Sequence, residues 1–236
     1  MKWLIDMRCV ILQPSYIPWR GVFHQIQRAD VFVFYDDVQY DKHGWRNRNR
    51  IKTANGSIWL TIPVHGRGAP ATGLPIHQVE MDNRQKWAEK HWKSLVQTYG
   101  KTPYFKVYAP LLEPFYTHPP EKLVDLTIPL TITLARALGI EHTQFVRSSA
   151  LPAHGTKTER LISLLTHLGA SHYLSGPSAR DYIDPEQFAA AGIALEYIVY
   201  NYPEYPQLHP PFDPQVSILD LLFNTGPRAG EYIWDK

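Results

Sequence analysis

The run Val31-Phe32-Val33-Phe34-Tyr35, followed at once by Asp36-Asp37, constrains this chain more than any other segment. Five β-favouring residues without a polar break describe a strand covered on both faces, the kind found inside a parallel sheet. Two carboxylates then emerge where that strand ends. In open α/β sheets, ligands bind outside the carboxyl ends of the strands. A carboxylate pair there can hold a metal, orient a hydroxyl or amine, or act as a base. The alternative is a plain turn, since Asp is common after strands.

The flanking pattern fits such a sheet. Residues 8–12 read as a first strand, 13–18 as a loop with two prolines, and 19–28 as a helix with Trp19, Val22, Phe23 and Ile26 at helical spacing. Asn55-Gly56 predicts a two-residue hairpin turn pairing Ala54 with Ser57, Lys52 with Trp59 and Arg50 with Thr61. Ile51, Ile58, Leu60 and Ile62 then share one face; Arg46, Arg48, Arg50 and Lys52 share the other with Trp59 and Thr61. Residues 77–81 read as a short strand. Asp82 and Gln85 resemble a capping box opening a helix that ends before Gly100. Residues 104–116 and 122–138 are helical stretches that Pro110, Pro114 and Pro129 should break or kink. Strands are expected at 143–147, 172–175 and 194–200, and helices at 185–191 and before Gly226. A further helix opens on a capping box, Thr156 to Glu159, and ends at Gly169. The expectation is one α/β domain over 1–236: a mainly parallel sheet with flanking helices, a β-hairpin and a helical middle insertion at roughly 82–140.

Composition narrows the function. At 44% hydrophobic and 19% charged, the 236 residues have ample core material. A net charge of +2 gives no global pull toward nucleic acid. The single cysteine, Cys9, excludes an intrachain disulfide and a cysteine zinc cluster, and fits a reducing cytoplasm. Asp6 and Arg8 interrupt any signal-peptide-like stretch, and no run reaches the length of a membrane span.

Several residues invite a chemical role. The loop from Gln13 to Gly21, with Tyr16 and Trp19, precedes a helix N-terminus, where free N–H groups favour anions. It is similar to the opening of nucleotidylyltransferases, but Trp19 and Arg20 stand where their histidines would be. The row Arg46, Arg48, Arg50 and Lys52 would clamp phosphate if it faces the Asp36-Asp37 end, and otherwise forms a solubilising strand face; Gln39, Lys42 and Asn47 are further binding candidates. His91 is either a core histidine or a base. Lys157 sits at a helix start without the glycine pattern of a phosphate loop. Ser175, Gly176 and Ser178 follow a strand, with Tyr182 beyond them; Gln207, with Tyr202 and Tyr205, would cover a sugar or base. Asp36, Asp37 and His91 are the catalytic candidates. The loop at 13–21, the segment at 36–39 and Ser175 to Ser178 should meet on one sheet edge.

Blocks along the chain carry a resemblance: Ile11-Leu12-Gln13-Pro14-Ser15-Tyr16-Ile17-Pro18-Trp19-Arg20-Gly21, Trp45-Arg46-Asn47-Arg48-Asn49, Tyr173-Leu174-Ser175-Gly176-Pro177-Ser178 and Ser217-Ile218-Leu219-Asp220-Leu221-Leu222. In these the chain resembles the WbqC-like family, named from a gene of bacterial O-antigen clusters. The resemblance implies a role near surface-polysaccharide or amino-sugar biosynthesis. The implied activity is a transferase moving an acyl or aminoacyl group to an activated amino sugar. Its partners would be a nucleotide sugar or other phosphorylated small molecule and an acyl donor. The sequence requires no cofactor, although the carboxylate pair would accept Mg²⁺. The rivals are a Mg²⁺-using nucleotidylyltransferase and a non-catalytic module that binds a glycan precursor.

Overall fold

Five short strands lie side by side in parallel. The computed structural model describes residues 6–41, 44–65 and 74–234. Strands β1 (Arg8–Leu12), β2 (Val31–Phe34), β5 (Gln144–Arg147), β6 (His172–Ser175) and β7 (Ala194–Tyr197) form one sheet in the order β5-β2-β1-β6-β7. All four neighbouring pairs are parallel. A separate antiparallel pair, β3 (Arg48–Thr53) and β4 (Gly56–Thr61), makes the hairpin.

Side-chain alternation divides the core between the two faces of the sheet. Val10, Phe32, Phe34 and Leu174 point into the larger core, which also receives Val22, Phe23 and Ile26 of α1 (Arg20–Gln27). That core continues into α2 (Trp87–Tyr99), α3 (Phe105–Thr117), α4 (Leu123–Ala137) and α7 (Ile218–Thr225). Cys9, Ile11, Val31, Val33 and Tyr173 face the other way, onto α5 (Lys157–Leu168) and α6 (Pro185–Ala190). Both faces of β2 are therefore covered, as a parallel interior strand requires.

Some local expectations need correction. The hairpin turn is at Ala54 and Asn55, with Gly56 at φ 102 inside β4. Gly56 pairs with Thr53 at the head of the ladder, so the two-residue turn is Ala54-Asn55 rather than Asn55-Gly56. The register moves by two: Arg50, not Lys52, lies opposite Trp59, and Arg48 lies opposite Thr61. A shift of two preserves the faces, so Ile51 and Leu60 are still buried together. The expected strand at 77–81 is a 3-10 turn, Ile76–Gln78, followed by single bridges at Glu80 and Met81. Asp82 caps no helix; it takes the Arg84 and Gln85 side chains, and α2 starts only after the left-handed Lys86. Thr156 likewise caps nothing, because Gly155 and Lys157 both adopt positive φ. Helices α3 and α4 run through Pro110, Pro114 and Pro129 as single elements.

Candidate functional site

The strand order reverses at β1. The chain leaves β1 toward β2 on one side, while β6 lies on the other. Such a switch point opens a crevice at the carboxyl edge, because consecutive loops depart in opposite directions. Here the opening begins inside the sheet itself. The β1–β6 ladder contains only Arg8↔His172 and Cys9↔Tyr173, although β1 runs on to Leu12 and β6 to Ser175. By contrast, β1 and β2 stay paired to Leu12↔Phe34.

A cavity of about 520 Å³ occupies the gap, within the range of small-ligand sites. Ile11, Leu12 and Ser15 reach it from β1 and its loop; Pro18, Trp19, Val22 and Gln25 from the start of α1. Ser175, Gly176, Pro177, Ser178, Ala179 and Tyr182 come from β6 and the turn after it. Trp45, Arg46 and Asn49 enter from the hairpin side, Tyr200 and Gln215 from the late loop. No carboxylate or imidazole is among these residues.

Arg46 is the cation of the crevice. Its Nη1 donates to the Gln13 carbonyl at 3.0 Å and to Ser15 Oγ at 2.9 Å, so the β1 loop fixes one edge of the guanidinium. Its Nε is buried and meets no acceptor among the described residues. Burial pulls the guanidinium down to about 10, against the pull of Asp41 and Tyr40, and it remains charged at neutral pH. The loop is itself held under strain. Ile17, β-branched and fully buried, has φ 37. Asn49 Nδ2 stabilises it by donating to the carbonyls of Tyr16 (3.2 Å) and Ile17 (2.8 Å). The aromatic wall is equally fixed: Gln25 donates to the Tyr200 hydroxyl at 2.5 Å, and Trp19 packs edge-on against Tyr200 with centroids 4.9 Å apart. Gly21 seats that indole, since a Cβ there would lie 2.3 Å from the Trp19 ring. Gly176 leaves room for the Tyr200 hydroxyl, 3.3 Å from where its Cβ would be.

Of the sequence candidates, Trp19, Arg46, Ser175, Gly176, Ser178 and Tyr182 line the crevice. Gln13, Tyr16 and Gly21 shape it from behind. Two of the three expected segments therefore meet, and the segment at 36–39 does not line the cavity. Asp36 is fully buried and accepts from Arg147 Nε (2.7 Å), Ser149 N (2.9 Å), Ser149 Oγ (2.9 Å) and Ser148 Oγ (3.2 Å). Burial works to raise its pKa, but these donors, led by the Ser149 amide, outweigh it and hold the carboxyl below its ordinary value. Asp37 takes Ser148 Oγ at 2.6 Å and the Arg160 guanidinium. His91 is buried; its Nδ1 lies 3.0 Å from the Tyr16 hydroxyl, which lies 2.9 Å from that of Tyr116. Burial lowers its pKa to about 4, so it is a neutral core histidine bracing the β1 loop.

The remaining candidates lie elsewhere. Asn47 donates to the Ile62 carbonyl, and Gln39 bridges to Pro75. The Arg48 guanidinium covers Trp59, Lys157 is exposed at the start of α5, and Gln207 ties Tyr205 to Asp213. Lys42 lies outside the described residues. Among the described residues no group of three His, Cys, Asp or Glu could hold a metal ion. Sequence reasoning missed Gln25, Asn49, Tyr200 and Gln215, which reach the crevice only through packing. It also missed Ser15 and Trp45, although each adjoins residues already singled out.

A Mycobacterium tuberculosis (strain ATCC 25618 / H37Rv) protein named "Uncharacterized protein Rv1507c" is 40% identical over 230 residues, spanning 96% of this chain and 97% of the relative. No solved structure matches. No helix among the described residues is long and apolar enough to cross a membrane. The WbqC-like protein family matches over residues 13–232, from the first residue of the β1 loop to the end of the fold. The chain belongs to the WbqC-like protein family.

Proposed function

We propose that the β1–β6 crevice binds an anionic, ring-bearing small molecule, a nucleotide sugar or another phosphorylated precursor. The protein would transfer an acyl or aminoacyl group to it in the cytoplasmic synthesis of a surface polysaccharide or amino sugar. The observation that carries the reading is Arg46: a fixed guanidinium with a buried, unpartnered Nε, set among aromatic rings at the switch point. A guanidinium held this way suits phosphate or carboxylate oxygens. Trp19, Tyr200 and Tyr182 supply flat apolar surface for a sugar or base. The transfer itself rests on the family resemblance. With no acid or base among the lining residues, the crevice would act by holding two reactants in line for direct attack.

The absence of a lining carboxylate or histidine favours a second reading, a non-catalytic module that binds a glycan precursor. Nucleotidyl transfer through Mg²⁺ on Asp36 and Asp37 is less well supported, because Arg147 and Arg160 already engage both carboxylates. Calorimetry with a UDP-linked amino sugar, with and without Mg²⁺, tests all three. Metal-independent binding is expected, weakened about tenfold or more by Arg46→Ala, which corresponds to about 1.4 kcal/mol. Mass spectrometry of the sugar after incubation with acyl-CoA or aminoacyl donors then checks transfer. Binding without any product leaves the binding module; strict Mg²⁺ dependence abolished by Asp37→Asn would favour nucleotidyl transfer.

A further inference from the structure

At the rim of the crevice two tryptophans are exposed together, Trp45 ahead of the hairpin and Trp59 on β4. Trp45 is 45% and Trp59 47% exposed, with ring centroids 5.1 Å apart and planes tilted by 37°. Large aromatic side chains left in water side by side point to a contact surface. Guanidinium groups rest on the same ring: Arg48 is 4.8 Å and Arg50 5.8 Å from the Trp59 centroid. Arg50 is held in place by Gln215, through Nε to the carbonyl at 3.0 Å and Nη2 to Oε1 at 2.8 Å, with the Asp213 carboxylate 3.9 Å away. This shelf is continuous with the crevice, because Trp45 and Gln215 belong to both.

We propose that the Trp45–Trp59 shelf is a second binding subsite, which takes a carboxylate-bearing saccharide chain alongside the crevice ligand. The inference rests on the crevice reading and extends it by naming a second ligand. Three features select this occupant. A pyranose ring presents a flat C–H face that packs on indole, while its hydroxyls stay hydrated, which suits an open shelf better than a closed pocket. Arg48 and Arg50 complement carboxylates along the chain in charge. Continuity through Trp45 delivers the end of such a chain to the ligand bound on Arg46. A flat base has the more enclosed Trp19–Tyr200 wall instead.

Calorimetry with hyaluronan hexasaccharide, which carries both carboxylates and amino sugars, tests the shelf on the full chain. Maltohexaose serves as the neutral control and a single-stranded thymidine oligomer as the nucleic-acid control. The hexasaccharide should bind; Trp59→Ala should weaken it about tenfold or more, and Trp59→Phe should recover much of that loss. UDP-amino-sugar binding should be the same in Trp59→Ala as in the unaltered chain, because Trp59 does not line the crevice. Equal affinity for maltohexaose, tighter binding of the thymidine oligomer, failure of the hexasaccharide to bind, or indifference to Trp59→Ala would each overturn the proposal. If UDP-amino-sugar binding fails while Trp59-dependent hexasaccharide binding persists, the crevice reading falls and the shelf stands.

Discussion

The carboxyl edge of the sheet has two halves built from similar materials to opposite ends. At β2 and β5 the strands stay paired to Phe34↔Arg147, and the polar residues beyond them close on one another. Asp36 and Asp37 meet Arg147, Arg160, Ser148 and Ser149, so the protein itself supplies partners to both carboxylates. At β1 and β6 the pairing stops at Cys9↔Tyr173, and the residues beyond line a cavity. A charged pair at a strand end therefore marks a ligand site only where its partners are not already supplied by the protein. The conspicuous carboxylates belong to the closed half, and a single arginine marks the open one.

Substitutions can break this comparison. In the closed half, Asp36→Ala leaves the Ser149 amide and hydroxyl without their acceptor, while the part-exposed Arg147 keeps Asp125 and Ser148 keeps Asp37, so unfolding in urea should show a loss of about 2–4 kcal/mol. Affinity for a UDP-amino sugar should survive in the folded fraction. Lost affinity at unchanged stability would instead make Asp36 part of the site. Behind the open half, Tyr16→Phe removes the partner of His91 Nδ1 and should cost about 1–3 kcal/mol, again by urea unfolding.

Two buried carboxylates sharpen the contrast through pH. The folded pKa of Asp36 is depressed, so its stabilisation is present above the unfolded carboxylate range and is lost as pH falls through the folded value. Asp220 behaves oppositely. Burial raises it to about 6, against the donors Tyr205 (2.9 Å) and Tyr99 (3.0 Å). The folded state then holds its proton more tightly than the unfolded chain, so stability falls as pH rises from the unfolded value toward about 6. Melting curves of Asp220→Asn against the unaltered chain should diverge in the variant's favour by on the order of 2 kcal/mol across that interval. A parallel pair of curves would show that Asp220 is ionised throughout. The smallest effect on stability belongs to the open half: Tyr182→Ala, at a ring 64% exposed, should change stability by less than about 0.5 kcal/mol. Its affinity for the UDP-amino sugar should drop about threefold, or about 0.7 kcal/mol.

The parallel sheet was legible because each strand is a compact apolar run. Arg8–Leu12 and His172–Ser175 appear where the pattern places them. Turn chemistry was less legible: Asn-Gly reads as the centre of a turn, yet Gly56 is the first paired residue of β4, and the register moved by two without changing faces. The crevice was half legible. Loops after β1 and β6 follow from topology, so Trp19 and Ser178 could be named, and Arg46 stood out as one of a row of cations. Gln25 sits on a helix face that looks purely structural, and Tyr200 and Gln215 lie in the long late loop. Only the folded packing brings them to one cavity. The opposite failure explains Asp36: sequence shows two acids at a strand end but not the serines and arginines, more than a hundred residues later, that satisfy them.

The short β1–β6 ladder has a mechanical consequence. Two rungs join the β6–β7 half of the sheet to the three strands on the other side, so the seam between them is the weakest line across the sheet. The crevice lies along that seam, with Arg46 anchored to the β1 side and Ser178 and Tyr182 carried on the β6 side. A ligand seated there would bridge the seam and act as the rungs the sheet lacks. Occupancy and the rigidity of the whole sheet would then rise together, and amide exchange in β6 and β7 would slow on binding even at residues the ligand never touches.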